Sequence, residues 1–134
     1  MNTKIMYIEI KLDGLRGEGR IARVTTSKSG KTIYYGRRTL VPTAGSPLKA
    51  NFYDESTFED FWVSNPKKDG SDSLFPAKIT IDEDVREKYW LEIRNQPNNI
   101  LKSSYRSPGK SKAEREKLEK GLRRRQMDNG WLSN

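Results

Sequence analysis

Residues 20–40, with the sequence RIARVTTSKSGKTIYYGRRTL, carry the strongest local structural signal in the chain. Two runs rich in β-branched and aromatic residues flank a short polar segment that contains a glycine, which is the pattern of a β-hairpin. The first arm covers residues 21–26 and the second covers residues 32–35. Residues 27–31 supply the turn, in which Gly30 can adopt a positive φ. The rest of the fold is predicted around this hairpin.

The hairpin region is strongly basic. Between Arg16 and Lys49 the chain has eight Lys or Arg residues and one acid, Glu18, which gives a net charge of +7. Cations beside tyrosines on a strand surface are typical of nucleic-acid binding. Because adjacent strand residues point to opposite faces, only one of Tyr34 and Tyr35 is expected to face outward.

The charge distribution leaves a second interpretation open. The chain as a whole has a net charge of +8, yet residues 50–100 hold six bases and eleven acids, and residues 101–134 hold ten bases and four acids. The basic hairpin and the acidic middle can therefore neutralise each other within one fold, so that the tail supplies most of the excess charge.

Length and composition predict one compact domain with a tail. The chain has 134 residues, of which only 33% are apolar, so part of it is expected to lie outside the core. It contains no cysteine and no histidine, which excludes disulfides, Cys/His zinc sites, thiol nucleophiles and imidazole bases. We therefore expect a non-enzymatic protein without a cofactor or metal. No apolar run approaches the ~18 residues of a membrane span, and no signal peptide is recognisable, which favours a cytoplasmic location and no membrane partner.

Period-two alternation of apolar and polar residues predicts three further strands, at residues 4–12, 48–53 and 74–81. In the first, the alternation indicates a half-buried strand. Residues 13–19 contain three glycines and are predicted to form a flexible loop, since no helix follows that could hold a phosphate. The pair Asp69-Gly70 predicts a second hairpin-like loop.

Two segments predict helices. The acidic residues 82–84 precede a helix over residues 84–95, with Asp84 and Glu87 spaced as a capping box. Residues 111–114 form a second capping box that opens a highly charged helix. The predicted organisation is a β-rich globular domain with a terminal helix over residues 1–97, a linker over 98–110 and a charged helical tail over 111–134.

Residues 54–62 combine acidic and aromatic side chains. Phe58, Phe61 and Trp62 are predicted to form an aromatic cluster next to the core. The four acids around them, two Asp and two Glu, lack the spacing of a calcium loop, so a solvated acidic turn is favoured over a metal site.

The predicted fold class is α+β: a strongly bent antiparallel sheet or small SH3-like barrel with one packed helix and a C-terminal basic helix. Five or six short strands with polar turns support the class, although they do not fix the topology.

Several segments, taken in order, resemble a family of small uncharacterised bacterial proteins. They are GRIARV, SKSGKTIYYGRRTL, KANFYDESTFEDFWVS, KKDGSDSLF and IDEDVREKYWLEIRNQP, which together cover roughly residues 5–97. Some members of that family carry the name 1-deoxy-D-xylulose-5-phosphate synthase, which implies a thiamine-diphosphate enzyme.

The sequence itself argues against that activity. A thiamine-diphosphate motif has Gly-Asp-Gly followed by paired asparagines, and here Asp69-Gly70 precedes Asn98-Asn99. Lys68, however, stands where the first glycine should be, and the chain has no histidine. One domain of 134 residues is also too small for the cofactor-binding architecture of such an enzyme.

The leading functional hypothesis is a non-enzymatic nucleic-acid-binding or nucleic-acid-associated module that uses the basic hairpin. The alternative is a protein-interaction module, in which the hairpin and the tail helix engage an acidic partner. In the first hypothesis, the cations contact phosphate and a tyrosine stacks on a base. The candidate residues are Arg20, Arg23, Lys28, Lys31, Tyr34, Tyr35, Arg37, Arg38, Arg123, Arg124 and Arg125.

Overall fold

The computed structural model describes residues 1–12, 15–43, 50–117 and 120. These residues form eight strands and a short helical segment. The strands are β1 (Asn2–Leu12), β2 (Leu15–Thr26), β3 (Ile33–Tyr35), β4 (Arg38–Pro42), β5 (Phe52–Asp54), β6 (Asp60–Ser64), β7 (Ala77–Ile81) and β8 (Ser104–Ser107). The helical segment consists of a 3-10 turn (Glu83–Val85), an α-helical turn (Arg86–Lys88) and a π-helical turn (Tyr89–Ile93), and another 3-10 turn follows at Pro97–Asn99.

Six of the strands close into an antiparallel barrel. They follow the order β1-β6-β5-β4-β3-β2, and β2 pairs back with β1 to complete the ring. This confirms the α+β class and the small barrel, and it is consistent with an SH3-like barrel. One pairing departs from the expected antiparallel sheet, because β7 lies parallel to β2. β8 is antiparallel to β7, and we call these two strands the wing.

The β1–β2 hairpin separates two hydrophobic clusters, one on each of its faces. One set of alternating side chains points into the barrel and forms the barrel core. Its buried members are Met6, Ile8, Ala22, Val24, Ile33, Leu40, Phe61 and Val63. The opposite set lies on the outer face, under the helical segment and the wing, and forms the outer core. Its buried members are Tyr7, Ile21, Ile79, Ile81, Val85, Tyr89 and Trp90.

The prediction that β1 is half-buried is therefore wrong, although the strand itself is confirmed. Its polar face, with Tyr7, Glu9 and Lys11, is buried as well as its apolar face. The buried charges satisfy each other: the Lys11 ammonium pairs with the Glu9 carboxylate, and the Tyr7 hydroxyl donates to it at 2.5 Å. A polar strand face can be buried when its charged groups find partners of this kind.

The flexible loop predicted for residues 13–19 is wrong for its second half, because β2 already begins at Leu15. The glycines there are strand residues that make room for neighbours. A Cβ on Gly17 would lie 2.6 Å from Ile10 Cγ2, and one on Gly19 would lie 2.7 Å from the Tyr7 hydroxyl oxygen. Glycine inside a strand is often a sign of such a close approach rather than of a loop.

The basic hairpin is confirmed. β2 and β3 are antiparallel, with Thr25 opposite Tyr34 and Thr26 opposite Ile33. Gly30 has a φ of 74°, as the turn requires.

The segment around Asp69-Gly70 forms a turn, in which Gly70 has a φ of 79°, but it does not close a hairpin. It lies between β6 and β7, which pair with different strands, so it carries the chain from the barrel to the wing. This crossing is anchored by Asp72, whose carboxylate accepts hydrogen bonds from the Tyr105 hydroxyl at 2.6 Å and the Lys67 amide at 2.7 Å. Burial raises the pKa of Asp72 above its ordinary value.

The helical segment is placed as predicted, but the capping box is wrong. The N-cap residue is Asp82 rather than Asp84, and no side chain caps the turn. The Asp82 carboxylate pairs instead with Arg20 on β2, because the outer core brings the start of the helical segment against that strand.

The segment after the helix differs from the linker predicted for residues 98–110. Residues Ser104–Ser107 form β8, which pairs with β7 from Ala77 to Thr80. Residues 112–117 are helical, in agreement with the start of the predicted tail helix. The rest of the predicted tail, residues 118–119 and 121–134, lies outside the described residues.

We predict that Gly19→Ala lowers the free energy of unfolding by about 1–3 kcal/mol, because the new methyl group overlaps the buried Tyr7 ring. Chemical denaturation measures the change. Thr25→Ala, on the same strand but at a half-buried position, is the control and should cost less than about 1 kcal/mol. Equal stability of wild type and Gly19→Ala would contradict the assignment of residue 19 to a packed strand.

Candidate functional site

Inward-pointing side chains of β3, β4 and β5 close one end of the barrel. Tyr35 lies opposite Arg38, and Leu40 opposite Asp54, so these residues point to the same side as the barrel core. The Arg38 guanidinium lies over the Phe61 ring, 4.9 Å from its centroid. We call this end, formed by Tyr35, Arg38, Asp54 and their neighbours, the barrel mouth.

An ion-pair network fixes the barrel mouth. Arg38 donates from Nη1 to Asp54 at 2.8 Å and to Glu59 at 2.9 Å. The Asp54 side chain is only 3% exposed, and it also accepts a hydrogen bond from the Ser56 amide at 2.8 Å. The Ser56 amide and Arg38 hold the pKa of Asp54 below its ordinary value, and Arg38 does the same for the pKa of Glu59. The Arg38 cation is thus largely compensated by the protein's own acids.

A pocket of about 540 Å³ opens at the barrel mouth. It is a shallow, open depression of the surface rather than an enclosed cavity. Arg37, in the tight turn between β3 and β4, is exposed and has no ion pair among the residues that the structure describes. It is therefore a cation available to a ligand. The pocket is lined by Tyr35, Gly36, Arg37, Arg38, Asp54, Ser56 and Thr57.

Arg20 lies near the same mouth but is already paired. Its guanidinium contacts Asp82 and, at 2.9 Å, Glu18, and the hydrogen bond to Asp82 raises its pKa. Burial raises the pKa of Tyr35, so its hydroxyl stays protonated and can donate a hydrogen bond. Arg20 and Arg38 thus shape the mouth more than they attract an anion.

The candidate residues do not share one face. Arg23 and Tyr34 lie on the outer side of β2 and β3, away from Arg20 and Tyr35. Tyr34 is exposed and Tyr35 packs against the barrel core, which confirms that only one tyrosine faces outward. Arg23 approaches Asp84 at 3.3 Å, but both side chains are largely exposed, so this pair contributes little.

Lys28 and Lys31 are exposed at the hairpin turn, and neither has an ion pair within the described parts of the chain. The remaining candidates, Arg123, Arg124 and Arg125, lie outside the described residues. The predicted set is therefore divided between the barrel mouth, the outer side of the hairpin and its turn.

Two exposed cations on the wing were missed in the sequence. Lys78 and Arg106 lie directly opposite each other on β7 and β8, on the face away from the outer core. Arg20 is in register with Thr80, so this face continues from the wing towards the barrel mouth. The alternation of β7 contains the signal for Lys78, whereas Arg106 falls in the segment predicted as a linker.

Phe58 is the other residue whose exposed position the sequence did not indicate. The predicted cluster of Phe58, Phe61 and Trp62 is wrong, because the three side chains lie in different places. Phe61 belongs to the barrel core and Trp62 packs on the outer core, whereas Phe58 is 75% exposed. Its φ of 63° is a left-handed conformation that costs a bulky L-residue about 1–2 kcal/mol. Its ring stacks on Tyr53 with centroids 6.4 Å apart and planes 11° from parallel. No local sequence pattern predicts this conformation.

Two of the four acids of residues 54–60, Asp54 and Glu59, serve the barrel mouth, because both accept hydrogen bonds from Arg38. Across the part of the chain that the structure describes, no group of three or more acidic side chains is arranged to hold a metal ion. Within the same residues, no helix has the length and apolarity needed to cross a membrane. The chemistry that the mouth offers is a guanidinium, hydroxyl groups and aromatic rings.

No known protein family matches this chain, and neither does any curated protein or solved structure. The resemblance to the bacterial family therefore depends on the sequence segments alone. Functional hypotheses have to be argued from the geometry of the chain itself.

We predict that Arg38→Met destabilises the protein by about 2–3 kcal/mol at neutral pH, because it leaves the buried Asp54 carboxylate without its cation. Arg37→Met is the control: this neighbour has no ion pair among the described residues, so its effect should stay within about 0.5 kcal/mol. Denaturant titrations of both variants measure these changes.

The pH dependence gives a second check on the same network. The pKa values of Asp54 and Glu59 are lower in the folded protein than their ordinary values of 3.8 and 4.5. Their stabilisation is therefore complete above those values and disappears as the pH falls through the lower pKa values of the folded state. The stability difference between wild type and Arg38→Met should shrink over that acidic range. A difference that stays constant would contradict the proposed network.

Proposed function

We propose that the protein is a non-enzymatic module that binds nucleic acid at its barrel mouth, with the phosphate backbone as the main contact. The observation that carries the proposal is the position of Arg37. It is an exposed guanidinium without an ion pair among the described residues, on the wall of a pocket of about 540 Å³. A guanidinium can hold two phosphate oxygens at once, which a compact ammonium cannot match.

The other groups of the pocket suit a phosphate ester. Ser56 and Thr57 line it with hydroxyl groups, and the protonated phenol of Tyr35 adds a further donor. The Arg38 network holds the loop that contains Ser56 and Thr57, because the Asp54 carboxylate bonds both Arg38 and the Ser56 amide. Preorganised donors of this kind reduce the entropy that binding costs.

The wing extends the cationic surface. Lys78 and Arg106 face each other across β7 and β8, and no acid within the described residues pairs with either of them. Directly opposite like charges destabilise a sheet. A phosphate backbone that crosses this face would relieve the repulsion, and the register of β2 with β7 leads it towards the barrel mouth.

The hairpin keeps part of its predicted role. Lys28 and Lys31 at the hairpin turn and Tyr34 on its outer side are exposed and would contact nucleic acid beyond the barrel mouth. Arg20 and Arg38 instead position the mouth. Arg123, Arg124 and Arg125 stay in the proposal as further phosphate contacts on sequence grounds. A cytoplasmic location, expected from the sequence, belongs to the same proposal.

The competing proposal is an acidic protein partner, because carboxylates can pair with the same free cations. No feature of the site favours a carboxylate over a phosphate. Binding of poly-aspartate is therefore the comparison that separates the two.

We predict that Arg37→Glu reduces the affinity for a fluorescently labelled oligonucleotide by about ten-fold or more, because it replaces a phosphate contact by a repulsive charge. Fluorescence anisotropy at low ionic strength measures the affinity, which should also fall steeply with added salt. Lys88→Glu makes a change of the same size on the exposed side of the helical segment and should have a much smaller effect.

Three results would count against nucleic-acid binding at this site. The first is an absence of oligonucleotide binding at low salt. The second is an equal loss in Arg37→Glu and Lys88→Glu, which would indicate nonspecific attraction. The third is tighter binding of poly-aspartate than of an oligonucleotide at equal ionic strength, which would favour the protein partner.

A further inference from the structure

The loop between β5 and β6 holds Phe58 in an exposed and strained position. Phe58 and Asn95 are the two non-glycine residues with positive φ among those that the structure describes. A short polar residue or glycine fits a left-handed position, whereas a bulky aromatic residue does not. Residues kept in such conformations concentrate at functional sites, so the observed outlier calls for a functional explanation.

The conformation of Phe58 is imposed by the loop rather than by burial of its ring. Its amide donates to the Asp54 carbonyl at 2.8 Å, and the Asp54 amide donates to the Glu59 carbonyl at 2.9 Å. The Asp54 and Glu59 carboxylates in turn bind Arg38. The loop is therefore fixed to the barrel at both ends, while the Phe58 ring remains 75% exposed.

The ring is oriented as a flat platform. Its plane is nearly parallel to that of Tyr53, at an angle of 11°, and the centroids are 6.4 Å apart, so Tyr53 flanks the ring and leaves most of it exposed. A ring held in this way loses little conformational freedom when a second flat group is placed on its exposed side.

The platform directly follows the proposed phosphate site in the sequence. Ser56 and Thr57 line the pocket, and Phe58 is the next residue in the chain. Arg37 lines the same pocket. Phe58 itself does not line the pocket, because its ring lies beside Tyr53 on the outer face of β5. A single strand with one phosphate at the Arg37 guanidinium would place another of its bases on the Phe58 ring. Phosphate contacts together with base stacking are the combination used by proteins that bind single strands.

We propose that Phe58 is a base-stacking platform that makes the protein selective for single-stranded nucleic acid. The inference rests on the proposed function, since it assigns the nucleic-acid class that the barrel mouth binds. A base inside a duplex is already stacked and paired, so its flat face is not available to Phe58. The phosphates of a duplex remain available to Arg37 and to the wing.

The test compares three labelled ligands at the same ionic strength: an oligothymidylate strand, a hairpin duplex, and a strand whose nucleotides are abasic. Wild type should bind the oligothymidylate best. Phe58→Ala should lose about ten-fold in affinity for it and change little towards the duplex and the abasic strand. Phe58→Trp should retain the affinity, because indole also offers a flat aromatic face. Leu101→Ala, which removes an exposed apolar side chain elsewhere, is the control and should behave as wild type.

Phe58→Gly separates a binding role from a structural one. Glycine tolerates the positive φ, so this variant should unfold at the same or a higher temperature than wild type while it binds oligothymidylate as weakly as Phe58→Ala. If Phe58→Gly instead unfolds at a clearly lower temperature and keeps its affinity, the ring is structural and the inference is wrong.

The remaining outcomes distinguish the inference from the function on which it rests. Equal binding of all three ligands that depends on Arg37 but not on Phe58 would overturn the stacking role and leave phosphate binding intact. No binding of any ligand by wild type would overturn both. Preference of wild type for the duplex would overturn the assignment to single strands.

Discussion

The antiparallel ladder between β1 and β2 is the constraint on which the rest of the structure depends. It runs from the pair Asn2–Thr26 to the pair Leu12–Leu15, and its central part, from Met6 to Glu9 on β1, is buried on both faces. The inner face closes the barrel, and the outer face holds the helical segment and the wing. A strand buried on both sides cannot slip by one residue without exchanging the contents of the two cores, so its register is strongly specified. This ladder therefore sets the position of the barrel mouth relative to the wing.

The barrel mouth shows how ion pairs and free charges take different roles. Arg38 compensates two acids and fixes the β5–β6 loop, whereas Arg37, the preceding residue, extends from a tight turn into solvent. The two adjacent arginines therefore have different environments, because β4 begins at Arg38 while Arg37 still belongs to the turn. One has a structural role because its direction follows the barrel core, and the other remains available because its position in the turn gives it no acidic neighbour among the described residues.

Local patterns predicted the elements that depend on local interactions. The alternation of residues 4–12 and the glycine turn of the hairpin were sufficient to place β1, the second half of β2 and β3. The outer core could not be predicted in this way, because a polar strand face such as that of Tyr7, Glu9 and Lys11 usually faces water. Its burial follows from a parallel pairing between β2 and β7, which are far apart in sequence. The ion pairs Arg20–Asp82 and Arg38–Asp54 also join residues that are distant in the sequence. Local patterns therefore do not show which of the predicted cations are compensated.

The compensated arginines change the balance between charge and stacking at the proposed interface. When a protein binds a single strand, the logarithm of the binding constant falls as the logarithm of the salt concentration rises. Each neutralised phosphate adds about −0.7 to that slope. With Arg20 and Arg38 engaged by acids, fewer cations remain to supply this electrostatic attraction than the sequence indicates. Base stacking contributes about 1–3 kcal/mol per base and does not depend on counterion release. In the proposed interface, stacking on the exposed Phe58 ring would therefore supply binding free energy that the compensated Arg20 and Arg38 do not.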